Sequence, residues 1–265
     1  MAVSANRIVL KSPREVELLR AAGGVVGRVL DEIGEMIRPG ITTAELDARA
    51  AELIEQAGAT PLFKGVRNSQ ARMPFPACIC ASVNEVVVHG IPDGEPLDEG
   101  DIVSVDCGVR LQGYCGDSAR TFGVGRLSPT AQRLLNVTAE ALSIALDEMA
   151  PGVRWGQVAK LLQKHVERAG FGVVREFVGH GIGQEMHEEP KVPNYYDRSQ
   201  RGMDFELRPG MTLAIEPMVT AGQPGVGQAD GTGWAIVTQD GSLAAHFEHS
   251  VAVTGDGVTI LTGGR

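Results

Sequence analysis

Apolar residues recur at helical spacing early in the chain: Leu18, Leu19, Ala22, Val25, Val26, Val29, Leu30, Ile33 and Ile37. Residues three and four apart share one face of a helix, so this run predicts an amphipathic helix. Ser12-Pro13-Arg14-Glu15 ahead of it supplies an N-cap serine, a proline at the first helical position and the glutamate of a capping box, and Pro39-Gly40 ends the run. Thr42-Thr43-Ala44-Glu45 opens a second helix that reaches to near Gly58. Two more are predicted from Ser128-Pro129 to Pro151-Gly152 and from about 155 to Gly170. Between the helix pairs the period changes to two: 78–88 reads as strand and 101–122 as a hairpin, while 61–77 is irregular and proline-containing. From 173 onward strands and loops dominate, with Asp240-Gly241 predicted as a tight hairpin turn and Gly255-Asp256-Gly257 as another.

Within the 101–122 hairpin, a turn near Leu111-Gln112 sets Asp106 opposite Asp117. Opposed side chains of an antiparallel pair share a face, with Cβ atoms roughly 4.5–5.5 Å apart. Two carboxylates so close repel unless a cation lies between them. An internal repeat strengthens the point. Arg38-Pro39-Gly40-Ile41 through Ala57-Gly58 matches Ala150-Pro151-Gly152-Val153 through Ala169-Gly170, and Gly100 through Asp106 matches Gly210 through Glu216. Each half reads as helix, helix, strands, and each sets an acid at the same point of an equivalent strand. The expected fold is therefore α+β, with two halves, about 12–122 and 128–261, related by a pseudo-twofold axis that brings Asp106 and Glu216 to the centre.

Composition narrows the class. Of 265 residues 43% are hydrophobic and 22% charged, the balance of an ordinary globular protein. The net charge of −9 argues against a broad nucleic-acid-binding surface, which needs lysine and arginine against phosphates. The opening Met1 to Arg7 carries no apolar signal core, and no later apolar run is long enough for a bilayer. With no secretory signal, Cys78, Cys80, Cys107 and Cys115 are expected as free thiols in the cytoplasm, and they lack the paired CxxC spacing of a structural zinc site.

Three other residues look like metal ligands. Glu216 is an acid in the apolar stretch Leu213-Ala214-Ile215-Glu216-Pro217-Met218-Val219, where an unpaired carboxylate is costly. Glu248 lies in the second arm of the hairpin expected at Asp240-Gly241, and His180 sits among glycines in Val178-Gly179-His180-Gly181-Ile182-Gly183. Singly, each reads more readily as a cap, an ion-pair partner or a core histidine. Jointly, two aspartates, two glutamates and one histidine exceed the three protein ligands of a catalytic zinc and suit two divalent cations about 3.5–4 Å apart. Oxygen donors with one imidazole favour Mn, Fe, Co or Zn in a hydrolytic role.

Six ordered motifs then become familiar: Val83-Asn84-Glu85-Val86-Val87-Val88-His89-Gly90-Ile91-Pro92, the Asp106/Asp117 hairpin, Gly179 to Gly183, His187-Glu188-Glu189-Pro190, Ile215-Glu216-Pro217-Met218 and Phe247-Glu248-His249-Ser250. Together, over roughly 12–261, they resemble the type I methionine aminopeptidases, whose pita-bread fold is shared with aminopeptidase P, prolidase and creatinase. The short interval from His180 to Glu216 leaves no room for the helical insertion of the type II enzymes. No long domain or zinc-finger extension precedes the first helix, as in the minimal bacterial form. The expectation is one catalytic domain over 1–265.

The resemblance implies that Asp106, Asp117, His180, Glu216 and Glu248 hold the two metals, with Asp117 and Glu248 bridging. Glu216 is then the general acid/base beside an activated water, His187 stabilises the oxyanion, and His89 binds the scissile nitrogen or substrate backbone. Phe75, Cys80 and Trp234 align with the methionine pocket. Regular pairing across Asp240-Gly241 would set Trp234 opposite Phe247, away from Glu248, so its place in the pocket needs a bulge or twist. Two departures bear on pocket shape: the longer Lys64 to Pro76 stretch replaces the usual Gly-Tyr-His-Gly-Tyr-Pro, and Met186 stands where relatives carry Phe. The implied activity is removal of initiator methionine from nascent chains with a small second residue, by a monomer touching the ribosome at most transiently. An X-Pro peptidase or creatine-type amidinohydrolase, and a non-catalytic peptide- or ribosome-binding relative, are the competing readings. From ligand chemistry alone a two-metal phosphoesterase also competes.

Overall fold

A computed structural model describes residues 8–199, 204–229 and 231–263; the Met1 to Arg7 opening read for a signal sequence lies outside them. In chain order the elements are α1 (Pro13–Met36), α2 (Thr43–Gln56), β1 (Thr60–Pro61), β2 (Ile79–Val83), β3 (Val86–Val88), β4 (Ile102–Leu111) and β5 (Tyr114–Gly123). There follow α3 (Pro129–Glu148), α4 (Trp155–Arg168), β6 (Gly172–Val173), β7 (Gly179–Gly181), β8 (Glu188–Val192) and β9 (Thr212–Ile215). The last are β10 (Met218–Thr220), β11 (Val226–Gln228), β12 (Ile236–Thr238), β13 (Ala244–His246), β14 (His249–Val253) and β15 (Val258–Ile260).

The helix starts follow their local chemistry. Ser12 and Thr42 each accept from the backbone N–H three residues on, and Glu15 and Glu45 reach back to close both capping boxes. The repeat is visible in the elements, because α2 and α4 have equal length at the spacing the sequence repeat requires. One difference separates them: Arg154 gives α4 no side-chain cap, and Asp204 accepts the Gly156 N–H at 2.8 Å instead.

Antiparallel sheets lie under the helices in both halves. β4 is central to the first, paired with β1, β2 and β5. The largest sheet of the second half runs β15-β14-β9-β7-β8. The apolar stripe of α1, with Val26, Val29 and Ile33, packs with α2 onto Ile79, Val103 and Val105. Leu134, Trp155, Val158 and Leu162 of α3 and α4 close on Leu213, Ile215 and Val219 in the same manner. The carboxylates thus stand on strands, or directly beside them, that two apolar layers cover.

Two sequence expectations need correction. The β4–β5 turn is Gln112-Gly113, both with positive φ (51° and 84°), the two-residue turn whose twist matches that of the strands. Asp106 therefore pairs with Ala119, and Asp117 with Gly108. A two-residue displacement preserves the face, so the two aspartates are diagonal neighbours instead of opposed ones. The second correction concerns Asp240-Gly241, which is a turn but not a hairpin. β12 pairs with β11 and β3, whereas β13 pairs with β10, so the arms enter different sheets. Glu248 consequently lies in the short link between β13 and β14.

Candidate metal centre

All ten residues singled out in the sequence line one cavity of about 470 Å³. The acids and His180 form its floor. Asp106 and Asp117 project from one face of the β4–β5 hairpin, and Glu216 follows β9 directly. His180 stands on β7, held between β8 and β9 by two glycines; a Cβ on Gly179 would meet the Ala214 carbonyl, and one on Gly181 the Glu189 carbonyl. Only this close approach brings the imidazole into the ring of acids.

Ligand atoms of Asp117, His180 and Glu248 lie within 4.8 Å of one another. Nε2 of His180 is 3.6 Å from Oε1 of Glu216 and 3.9 Å from Oδ2 of Asp117. The His180 Nδ1–H donates to the Gly181 carbonyl at 3.0 Å, which leaves Nε2 as the free lone pair facing the acids. Oδ1 of Asp106, Oδ1 of Asp117 and Oε1 of Glu248 are buried without a hydrogen-bond partner. Buried polar atoms are nearly always satisfied, so three orphaned carboxylate oxygens converging on one bare imidazole nitrogen fit a missing cationic partner.

Electrostatics agree. Burial pushes Asp106 up to about 7. Burial, together with the charge of neighbouring acids, holds Asp117, Glu216 and Glu248 well above the usual carboxylate range. The imidazoles move the other way. Burial lowers His180 and His89 to about 4, with His187 adding to each, and lowers His187 itself. Every histidine of the cavity is thus neutral at pH 7, as a metal ligand or a neutral hydrogen-bonding group must be.

His187 lies beside the floor, its ring 4.3 Å from that of His180. His89 takes a left-handed backbone (φ 61°), costly for a residue with a Cβ and common where a site over-determines a side chain. It is fixed there because Gly90 crowds the Ala81 carbonyl and donates to Ser82 Oγ at 3.1 Å. The wall is apolar: Phe75 meets Trp234 edge-on at 5.2 Å, and Cys80 joins them. Trp234 reaches it because β12 never pairs with β13 and shifts register against β3, and its Nε1 donates to the Met73 carbonyl at 2.9 Å. The long 64–76 stretch folds as a loop closed where the Gly65 N–H donates to the Phe75 carbonyl and the Phe75 N–H donates to the Val66 carbonyl, each at 2.8 Å.

One residue escaped the sequence reading. His246 is buried in the cavity with Nε2 3.7 Å from Oε2 of Glu216 and no hydrogen-bond partner. Its only signal is the two-residue spacing from Glu248, easily taken for a core histidine on a short strand.

Helices over two antiparallel halves, with a carboxylate-rich candidate metal site at their junction, are the arrangement of a pita-bread metallopeptidase. The model of metallopeptidase family M24 matches residues 17–255, and the chain belongs to that family. Within it, the chain is 47% identical over 255 residues to the methionine aminopeptidase of Clostridium perfringens, covering 96% of this chain and 98% of that one. It superposes on the methionine aminopeptidases of Thermotoga maritima and Rickettsia prowazekii with a TM-score of 0.90 for each, at 42% and 35% identity, covering 97% of this chain and all of theirs.

Proposed function

We propose that this metallopeptidase removes the N-terminal methionine from polypeptides whose second residue is small. The observation that carries the reading is the set of orphaned carboxylate oxygens around His180, set at the floor of a cavity walled by Phe75, Cys80 and Trp234. Asp106, Asp117, His180, Glu216 and Glu248 would hold two divalent cations, of Co, Mn, Fe or Zn. When bound, such ions act as Lewis acids that make water nucleophilic at neutral pH and polarise a carbonyl.

The side chains perform the rest. The apolar wall accepts the methionine side chain, to which Met186 adds a deformable thioether. Glu216 stands at the floor with one oxygen toward His180 and the other toward His246, where it can take a proton from water and pass it to the leaving nitrogen. Neutral His187 and His89 offer N–H groups to the developing oxyanion and to the scissile nitrogen or substrate backbone. Among the described residues no helix is long and apolar enough to cross a membrane. The enzyme is proposed to work in the cytoplasm, as one catalytic domain and a monomer, on nascent chains during no more than transient contact with the ribosome.

The deciding assay offers metal-reconstituted protein Met-Ala-Ser, Met-Lys-Ser and an Xaa-Pro peptide. Release of methionine from the first alone is expected; cleavage confined to the Xaa-Pro peptide would overturn the reading.

A further inference from the structure

Lys11 is a buried lysine in front of α1, its side chain 4% exposed. Its Nζ lies 2.6 Å from Oε2 of Glu188 and donates to the Val9 carbonyl at 3.2 Å. Its backbone N–H donates to the Gly210 carbonyl at 2.6 Å, so Lys11 carries the N-terminal half across to the second. Glu188 immediately follows His187. Glu188 opens β8 at the end of the bends over 183–187, so an anchor on Glu188 fixes the backbone from which the His187 ring reaches the cavity.

Other contacts of the 183–188 segment converge on the same end. Oε1 of Glu188 accepts the Glu185 N–H at 3.2 Å, and Gly183 is crowded by both the Glu188 carboxylate and the Lys11 methylenes. The Cys115 N–H donates to the Gly183 carbonyl at 2.8 Å, and Gln184 Nε2 to the Tyr114 hydroxyl at 3.2 Å. Tyr114 in turn donates to Glu15, a member of the α1 capping box. Of the contacts that tie this segment to the rest of the chain, the Lys11–Glu188 pair stands closest in sequence to His187. A shielded charge-assisted bond is geometrically strict, whereas the Arg110–Glu185 pair on the same segment is solvent-exposed and loose at 3.3 Å.

We propose that Lys11 is a positioning residue for the hydrolytic reaction: through Glu188 it fixes the His187 imidazole at the height of the metal centre. This rests on the role given to His187 above, and the test separates the two. Lys11→Met is expected to lower kcat about tenfold with KM within about twofold, the mark of a group misplaced in the transition state. In metal-free protein labelled with 13C at histidine, the His187 ring resonance, assigned with His187→Ala, is expected to shift. The double variant Lys11→Met/Glu188→Gln leaves no buried unpaired carboxylate, so it should regain the wild-type melting temperature but neither kcat nor the resonance. Wild-type kcat and resonance in Lys11→Met, or recovery of kcat along with stability in the double variant, would overturn the proposal. Should Lys11→Met fail to fold, the double variant decides on the same two readouts. A wild-type protein that released no methionine would remove the assigned reaction, yet the resonance would still report whether Lys11 positions His187.

Discussion

At the scale of single residues, the metal-free site stores unfavourable charge, and this has a measurable sign. An acid whose pKa folding has raised holds its proton more tightly folded than unfolded, so it subtracts stability as pH climbs from about 4 through its folded value. The buried histidines act oppositely, losing stability as pH drops through the unfolded value near 6.5 toward their folded values near 4, and their slope fades only above about pH 7.5. The window above pH 7.5 therefore isolates the acids from them. Metal-free protein is expected to lose on the order of 1 kcal/mol between about pH 7.5 and 8.5 through Asp117, Glu216 and Glu248, and saturating Mn or Co should abolish the loss. Denaturant melts at the two pH values check this; a flat metal-free profile would show that the acids share no common field. Replacing Glu216 by Gln keeps shape but removes a charge and a proton acceptor. It should cut kcat by about a hundredfold or more, checked on Met-Ala-Ser under metal excess. The four acids that line the cavity were readable as a group in the sequence because acids in apolar surroundings conflict with local preference, and such conflicts mark candidate sites. His246 was not legible, since a histidine on a three-residue strand conflicts with nothing.

The element scale is governed by how closely α1 lies on β5. A Cβ on Gly23 would meet the Leu261 carbonyl, and one on Gly116 the backbone of Ala22 and Gly23, so helix and strand touch main chain to main chain. The adjacent Gly24 faces open space, with only Arg28 Nη1 at 3.9 Å. Gly23→Ala should destabilise by about 2 kcal/mol through overpacking, while Gly24→Ala should stabilise by about 0.5–1 kcal/mol through helix propensity. Chemical denaturation of both variants tests the crossing; equal effects would deny it. Helix starts were readable because Ser12 and Thr42 bond within their own turn, and local chemistry suffices there. The strand pairings were less so. The β4–β5 register hinged on which two residues take positive φ, and Leu111-Gln112 and Gln112-Gly113 differ by a single position. β12 and β13 took separate sheets because β3 and β10 compete for their edges, a tertiary choice with no local trace.

At the scale of the whole molecule, hydroxyls stitch the halves together beside the site. Ser118 Oγ donates to the Glu248 carbonyl, and Ser250 Oγ donates to the Asp117 carbonyl at 2.7 Å. Each half thus holds the backbone of the other's acid. Ser118→Ala/Ser250→Ala should weaken cation binding by about 10–100-fold, the usual effect of removing supports behind ligands, with secondary structure unchanged. Competition against a chelator reads this directly, and unaltered affinity would show the clasp to be idle. The Leu261 carbonyl at Gly23 extends the same logic to the chain's two extremities. Leu19, Tyr114, Ala252 and Leu261 form one small apolar cluster, so the first helix completes its packing against residues some two hundred positions away. Contacts so distant along the chain form late, because the long loop between them must close first. A ribosome-bound fragment halted before residue 260 should therefore leave α1 open to proteases, and the first helix would be sealed only once the last residues have emerged.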